Sequence, residues 1–166
     1  PLLALSGSIG AIVGQNWGAN RPDRSRRAMW WSALFCIAYG LATAVLLFFT
    51  GDWFARFFTD DPAVVEEFSR YLAIAVWGYA GFGLLIVANG ALNAVDRAGV
   101  ALAQSAARVF LVMLPFGWLL RESWGSEAIY AAELAANITG GALAIYLVWQ
   151  VLRDRSESSA VPQTNR

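Results

Sequence analysis

Two charged side chains, Arg108 and Glu133, interrupt the long apolar stretches of this chain. In a bilayer, one such charge costs at least about 2.5 to 3.5 kcal/mol on insertion scales, so it usually faces protein or water and indicates a functional site. Arg108 is a candidate for substrate contact or for an interhelical clamp that satisfies amide and carbonyl acceptors. Glu133 is a candidate proton carrier, and the alternative is a side chain that reaches outward to water.

The elements that would position these charges are membrane-spanning helices. Hydrophobic residues make up 58% of the 166 residues and charged residues only 14%, whereas about a quarter of residues in soluble domains are charged. Five stretches are close to the ~20 residues that cross a bilayer. They are residues 2–20, 28–50, 71–95, 98–120 and 128–152. The sequence therefore predicts an all-α polytopic membrane bundle with five transmembrane helices.

The distribution of arginine predicts the orientation of these spans. Arg21, Arg24, Arg26 and Arg27 lie between the first and second spans, and Arg97 and Arg153 lie in the third connection and the tail. Because positive residues accumulate in cytoplasmic loops, these segments are expected inside and the second and fourth connections outside. The alternation agrees at every connection.

Amide side chains near Arg108 predict a polar cluster. At about 1.5 Å per residue, Arg108 lies about 15 Å into its span, near the midplane. Helical side chains lean toward the N-terminus of their helix, which directs Arg108 toward the cytoplasm and Glu133 outward, so we expect no direct pair between them. We expect a polar cluster in the cytoplasmic half, with Asn137 near its top, and its members are candidates for the substrate or ion pathway: Asn89, Asn93, Gln104 and Arg108.

Small and aromatic residues add two further expectations. Gly10, Gly14 and Gly18 recur every four residues, a stripe that favours close helix packing. Tyr79 and Phe82, with Trp77, are candidates for an aromatic face toward a pathway, where flat organic cations would be attracted by cation–π interaction. The alternative for these rings is contact with lipid or ordinary packing.

Local signals predict where helices begin and end. Asp23 or Ser25 is expected to cap the second span, and Asp61 with Pro62 to begin a later helix. Residues 51–58 are expected to form a separate short interfacial helix, because Trp and Phe suit the headgroup level. Pro115 is expected to kink the fourth span.

The ends of the chain predict a part of a larger protein. Pro1 precedes the first apolar run with neither an initiator Met nor a basic region, so no signal peptide is expected. We expect residues 1–155 to form a partial C-terminal transmembrane lobe and residues 156–166 to form a disordered cytoplasmic tail. The lone Cys36 excludes a disulfide framework.

Three motifs carry a resemblance to a known family. The run from Val13 to Arg24, VGQNWGANRPDR, resembles the GQ-x-x-GA-x-R-x-x-R segment of the multidrug and toxic compound extrusion (MATE) transporters, which occurs once in each of their two lobes. The run NGALNA from Asn89, followed by Asp96 and Arg97, is similar to the N-x-x-L-N-A-x-G-R end of their tenth helix. Arg108 with Leu114-Pro115 resembles the R and LP of the eleventh. The resemblance covers residues 2–155 and maps the five spans onto helices eight to twelve of a twelve-helix fold.

That resemblance implies a secondary antiporter of the bacterial plasma (inner) membrane, with its C-terminus in the cytoplasm. It implies two six-helix lobes around a cavity, export of organic cations and drugs, and H⁺ or Na⁺ as coupling ion without another cofactor. The implied partners are a small cationic substrate, membrane lipid and the missing N-terminal lobe. Several members carry a coupling carboxylate on the first, seventh or tenth helix, and of these only the tenth is expected in this chain. The tenth-helix position falls near Phe82 and Gly83, in a stretch without acids, which favours a proton route through the missing lobe.

Other function classes fit less well. Several cationic pathway residues would favour a lipid-linked oligosaccharide flippase of the same superfamily, but Arg108 is the only candidate. A gene without an upstream six-helix half would favour a non-transporting membrane scaffold. An enzyme is not expected, because histidine is absent and neither a metal-ligand cluster nor paired carboxylates are evident. Zero net charge gives no indication of nucleic-acid binding.

Overall fold

A computed structural model describes residues 1–160 of the chain, with side chains as far as Asp154. Residues 1–160 form helices joined by short connections. They are α1 (Leu2–Gly18), α2 (Pro22–Phe58), α3 (Pro62–Ala75), a 3₁₀ turn (Val76–Gly78), α4 (Tyr79–Ala94), α5 (Ala98–Ala107), a π-helical turn (Arg108–Met113), α6 (Leu114–Trp124) and α7 (Glu127–Ala160). The all-α bundle expected from the sequence is confirmed within this part of the chain.

Four helical segments are long and apolar enough to cross a membrane. They are Pro22–Phe58, Pro62–Ala94, Ala98–Trp124 and Glu127–Asp154 among the residues described. The remaining predicted span corresponds to α1, whose 17 residues stand at the lower limit of the lengths that span a bilayer.

The bundle is organised around α4, which packs against α1, α2 and α7. Glycine permits the closest of these crossings. A Cβ added to Gly81 would overlap the backbone of Asn137, and one added to Gly141 would overlap the backbone of Gly81. The backbones of α4 and α7 therefore touch directly, as small residues permit between membrane helices.

The predicted glycine stripe of α1 is only partly used. A Cβ on Gly10 would lie 3.1 Å from the Gly90 carbonyl oxygen, and one on Gly14 would lie 3.3 Å from that of Ala94. At Gly18 an added Cβ would meet no atom within 4 Å. The expectation is therefore wrong for Gly18. Because α4 ends at Ala94, which lies against Gly14, α1 continues past the end of α4 before it reaches Gly18.

The predicted interfacial helix at residues 51–58 is also wrong. Instead α2 continues through this segment to Phe58. Gly51 does not break it, since the buried glycine gives Leu72 of α3 room to pack, and an added Cβ would lie 2.6 Å from a Leu72 methyl group. The aromatic side chains remain on the outside of this last part of α2, with Trp53 exposed by 66% and Phe57 by 77%.

The predicted capping residue is correct for α3 and wrong for α2. Asp61 caps α3, where its side chain accepts a hydrogen bond of 2.9 Å from the Ala63 amide, and Pro62 follows it as predicted. At α2 the helix already begins at Pro22, and no side chain caps it. The Ser25 hydroxyl donates instead to the Val13 carbonyl of α1 at 3.3 Å.

At the other end of the chain, α7 extends beyond the predicted end of its span at Leu152 and includes residues 156–160 of the predicted disordered tail. The rest of that predicted tail, residues 161–166, lies outside the described residues.

Candidate functional site

A cavity of about 510 Å³ opens between the helices and brings together several of the predicted residues. Its lining combines aromatic rings, small residues and two opposite charges: Leu2, Tyr39, Gly40, Thr43, Tyr71, Tyr79, Phe82, Arg108, Met113, Glu133 and Asn137. An apolar cavity with a few convergent polar groups is the usual form of a small-molecule site.

Arg108 is held in this cavity by α7 and α4. Its guanidinium donates a hydrogen bond to Oδ1 of Asn137, and its central carbon lies 5.8 Å from the centre of the Phe82 ring. Its aliphatic stem passes over Gly140, where an added Cβ would lie 2.7 Å from Arg108 Cδ. Because Asn137 is only 2% exposed, its amide gives the arginine a fixed acceptor.

The predicted cytoplasmic cluster divides into two groups. Gln104 donates to Asn89, and Asn89 donates to the Ser105 hydroxyl at 3.0 Å. This pair does not line the cavity, and Asn93 is exposed near the end of α4. The expectation that Arg108 joins Asn89 and Gln104 is therefore wrong.

A change of helix type at Arg108 explains this division. Gln104 belongs to regular α5, whereas Arg108 begins the π-helical turn that precedes Pro115. A π turn inserts an additional residue and rotates the following side chains about the axis, and such turns occur often at functional sites. A direction inferred from ideal α-helical geometry consequently fails at this position.

Glu133 lies on the same face of α7 as Asn137, one turn away. The Tyr71 hydroxyl donates toward both of its carboxylate oxygens, at 3.3 and 3.4 Å. No ion pair joins Glu133 to Arg108 within the described part of the chain, in agreement with the sequence prediction. The cavity thus contains a carboxylate and a guanidinium that are held apart by different partners.

The aromatic residues of α4 divide in the same way. Tyr79 and Phe82 line the cavity, but Trp77 does not. Trp77 is 38% exposed, and its ring lies 5.7 Å from that of Phe48. The expectation of a cavity-facing ring is therefore wrong for Trp77, because the 3₁₀ turn at residues 76–78 places it toward α2.

Sequence reasoning missed three polar residues of the lining. Tyr39 and Thr43 lie one turn apart on α2, and Tyr71 lies on α3. Polar groups spaced by four residues in an otherwise apolar run, as at Tyr39 and Thr43, are a signal that could have identified this face.

A separate group of acidic side chains, outside the cavity, surrounds Arg70. Arg70 pairs with Glu66 at 2.9 Å, with Glu67 at 3.3 Å and with Glu127 at 3.8 Å. Tyr130 also donates to Glu67. These side chains join α3 to α7 at the surface and lie outside the cavity. No group of three metal-ligating side chains occurs among the described residues.

Comparison with known proteins gives consistent matches. The MatE family model matches residues 1–119. The chain is 29% identical over 150 residues to a Shewanella oneidensis protein described as an FAD transporter, with 90% of this chain and 33% of that protein covered. It is 29% identical over 118 residues to a probable multidrug resistance protein NorM of Caulobacter vibrioides, covering 71% of this chain and 25% of that protein.

A solved structure agrees with these matches. The crystal structure of the Vibrio cholerae MATE transporter VcmN in its bent form superimposes with a TM-score of 0.88 at 25% identity. The superposition covers 93% of this chain and 35% of that protein. The chain thus spans about a third of the length of the proteins that it resembles.

Proposed function

This chain belongs to the MatE family, and on that premise we propose that it forms part of a secondary antiporter that exports flat organic cations. The family and its apolar helices make it an integral membrane protein. We assign the chain to helices eight to twelve, in a bacterial inner membrane with the C-terminus inside. The upstream part of the same polypeptide would supply the second lobe around the transport pathway.

The observation that carries this proposal is the composition of the cavity. Tyr39, Tyr79 and Phe82 contribute rings to its wall, and Glu133 alone contributes a carboxylate among the described lining residues. Aromatic faces attract organic cations by about 0.5 to 2 kcal/mol per contact. A single carboxylate in such surroundings can balance the charge of one monovalent cation.

Glu133 is also the candidate coupling group of this chain. A carboxylate that binds either a proton or a cation can make substrate release depend on ion uptake, with H⁺ or Na⁺ as the ion. The Tyr71 hydroxyl, which donates toward both carboxylate oxygens, would hold Glu133 in the cavity when the site is empty.

The experiment is ethidium transport by the full-length protein in proteoliposomes, with either a proton or a sodium gradient imposed. Glu133→Gln preserves size and hydrogen bonding but removes the charge, so we expect ion-driven ethidium transport to fall at least about tenfold. Glu122→Gln, at an exposed position outside the cavity, is the matched control and should transport normally. Unchanged coupling in Glu133→Gln would contradict the proposal.

A second candidate function is export of an aromatic organic anion. Arg108 places a fixed cation in the cavity, and one relative is described as an FAD transporter. A guanidinium suits phosphate because its planar fork can donate two parallel hydrogen bonds. Transport of the two probes distinguishes the candidates: an anion exporter should carry FAD and not ethidium, and Arg108→Gln should abolish that FAD transport.

A further inference from the structure

Polar side chains hold the outer part of α3 to α7. The Tyr130 hydroxyl of α7 donates to Glu67 of α3 at 2.5 Å. Arg70 of α3 lies 3.8 Å from the Glu127 carboxylate of α7. These residues lie at the end of the bundle that the arginine distribution predicts to face outside. We call the four of them the outer contact: Glu67, Arg70, Glu127 and Tyr130.

The outer contact lies beside the cavity, one helical turn further out. Glu67 precedes Tyr71 by four residues on α3, and Tyr130 precedes Glu133 by three on α7, so each pair shares a helix face. The Tyr71 and Tyr130 rings meet edge to face, with their centres 5.2 Å apart. Tyr71 and Glu133 line the cavity, whereas the Glu67 and Glu127 side chains are 42% and 45% exposed. The outer contact therefore lies between this end of the cavity and the water.

Buried apolar side chains join α3 to α2 more than to α7. Leu72 and the adjoining Val76 form a small core with Ala44 of α2. Within the part of the chain that the structure describes, this core includes no residue of α7. Exposed ion pairs contribute little to stability, because water competes for both charges. The contact of α3 with α7 should therefore open more easily than its contact with α2.

A change of helix type lies at the inner end of α3. The 3₁₀ turn at Val76–Gly78 separates α3 from α4, and a 3₁₀ stretch within a longer helix often marks a hinge. Gly78 packs closely on α7, where an added Cβ would lie 3.0 Å from Asn137 Cβ. The two helices are thus in tight contact at the turn, and long polar side chains bridge them further out.

We propose that the outer contact is a gate of the cavity. In the described structure the gate is closed. It opens when α3 moves away from α7 about the 3₁₀ turn, which exposes the cavity beside Glu133 to the outer water. The gate requires only the cavity and does not depend on which substrate the cavity binds. In the proposed antiporter, the open gate would admit the coupling ion to Glu133 from outside.

The test is the rate at which an impermeant thiol reagent labels a cavity cysteine of the full-length protein in intact cells. Thr43→Cys, in a background without other cysteines, is the reporter, because Thr43 lines the cavity on α2. Arg70→Gln/Tyr130→Phe removes both polar bridges and keeps the two aromatic rings. We expect it to label about tenfold faster, because two exposed polar contacts together change an equilibrium by roughly that factor. This measurement needs no transport, so it remains decisive if the proposed substrate or coupling is wrong.

Two controls separate the gate from a general loosening of the bundle. Arg56→Gln/Tyr146→Phe makes the same two changes at exposed positions on α2 and at the other end of α7, and it should leave the labelling rate unchanged. The native Cys36 is fully buried and should stay slow to react when it is the only cysteine and the gate substitutions are present.

Three results would overturn the proposal. The first is an unchanged rate at Thr43→Cys in the gate variant, and the second is equal acceleration in the control variant or at Cys36. The third is a reporter that already reacts in the otherwise unmodified protein as fast as Asp60→Cys, an exposed position at the same end. If the double variant is poorly expressed, Tyr130→Phe alone should still accelerate labelling severalfold, and an unchanged rate there contradicts the gate.

Discussion

Arg108 and Asn137 join the π-helical turn to α7 by one hydrogen bond from a guanidinium to a nearly inaccessible amide oxygen. A buried amide that loses its only charged donor is left with an unsatisfied acceptor, which costs about 1 to 3 kcal/mol. The same arginine faces the cavity, so a structural contact and a candidate substrate contact coincide in one side chain.

A double-mutant cycle on this pair should measure the structural role of the hydrogen bond. We expect Arg108→Ala and Asn137→Ala each to lower the free energy of unfolding by about 1 to 3 kcal/mol. The double variant should lose less than their sum, because contacting residues are coupled. Thermal unfolding in detergent measures this, with Arg121→Ala as the control, whose guanidinium is exposed and lies 5.3 Å from the Trp118 ring. Additive losses at Arg108 and Asn137 would show that the hydrogen bond contributes nothing to stability.

The crossing of α4 and α7 should not tolerate a methyl group. Gly81→Ala would place a Cβ against the Asn137 backbone, and we expect a loss of about 1 to 3 kcal/mol, typical of overpacking. Gly99→Ala is the control, because an added Cβ there meets no atom within 4 Å. Gly99→Ala should therefore keep or slightly raise the stability of the protein, because alanine is favoured over glycine in a helix by up to about 1 kcal/mol. Equal thermal stabilities of the two variants would contradict this packing.

Single cysteines in a Cys36→Ser background test the predicted orientation. Arg24→Cys and Asp154→Cys should resist an impermeant thiol reagent in intact cells, whereas Asp60→Cys should react, because the positive connections are expected inside. All three positions are exposed. Ser25, a less suitable position, is fully buried and would resist labelling on either side. Labelling of Arg24→Cys from outside would reverse the orientation.

Removing the Tyr71 hydroxyl should affect transport through Glu133. Tyr71→Phe keeps the ring in the cavity but leaves the carboxylate without its hydroxyl donor, so we expect coupled ethidium transport to fall severalfold at near-normal protein levels. Tyr39→Phe is the matched control, because Tyr39 also lines the cavity and stacks on Phe35 at 5.7 Å. Equal effects of both substitutions would indicate that only general cavity polarity matters.

Residues 1–166 alone should not transport, because the proposed pathway lies between two lobes and the chain spans about a third of its relatives. We expect no gradient-driven ethidium flux above that of empty vesicles when only these residues are reconstituted. The full-length protein serves as the positive control. Flux from the shorter chain would require a pathway within this bundle or between copies of it.

The amino-acid sequence by itself determined the features that depend on local composition. Apolar runs of bilayer length predict the helices, because backbone groups in lipid must be satisfied within each helix. The Asp61-Pro62 start of α3 follows from capping, which involves only neighbouring residues. The motifs at Val13–Arg24, Asn89–Arg97 and Arg108–Pro115 identified the family without the structure. Arg108 and Glu133 were identified as candidates for the same reason, because a charged residue within an apolar stretch can be recognised from the sequence alone.

Only the tertiary structure decided which polar groups meet. Arg108 contacts Asn137 rather than Gln104 because the π-helical turn rotates it and the Gly81–Gly141 crossing brings α7 against α4. Tyr39 and Tyr71 join the cavity for a similar reason, as their helices converge on α4 and α7 from distant parts of the chain. Depth along a span can be counted from the sequence. The direction in which a side chain points around the helix axis, and the helix that lies opposite it, depend on packing between segments far apart in the chain.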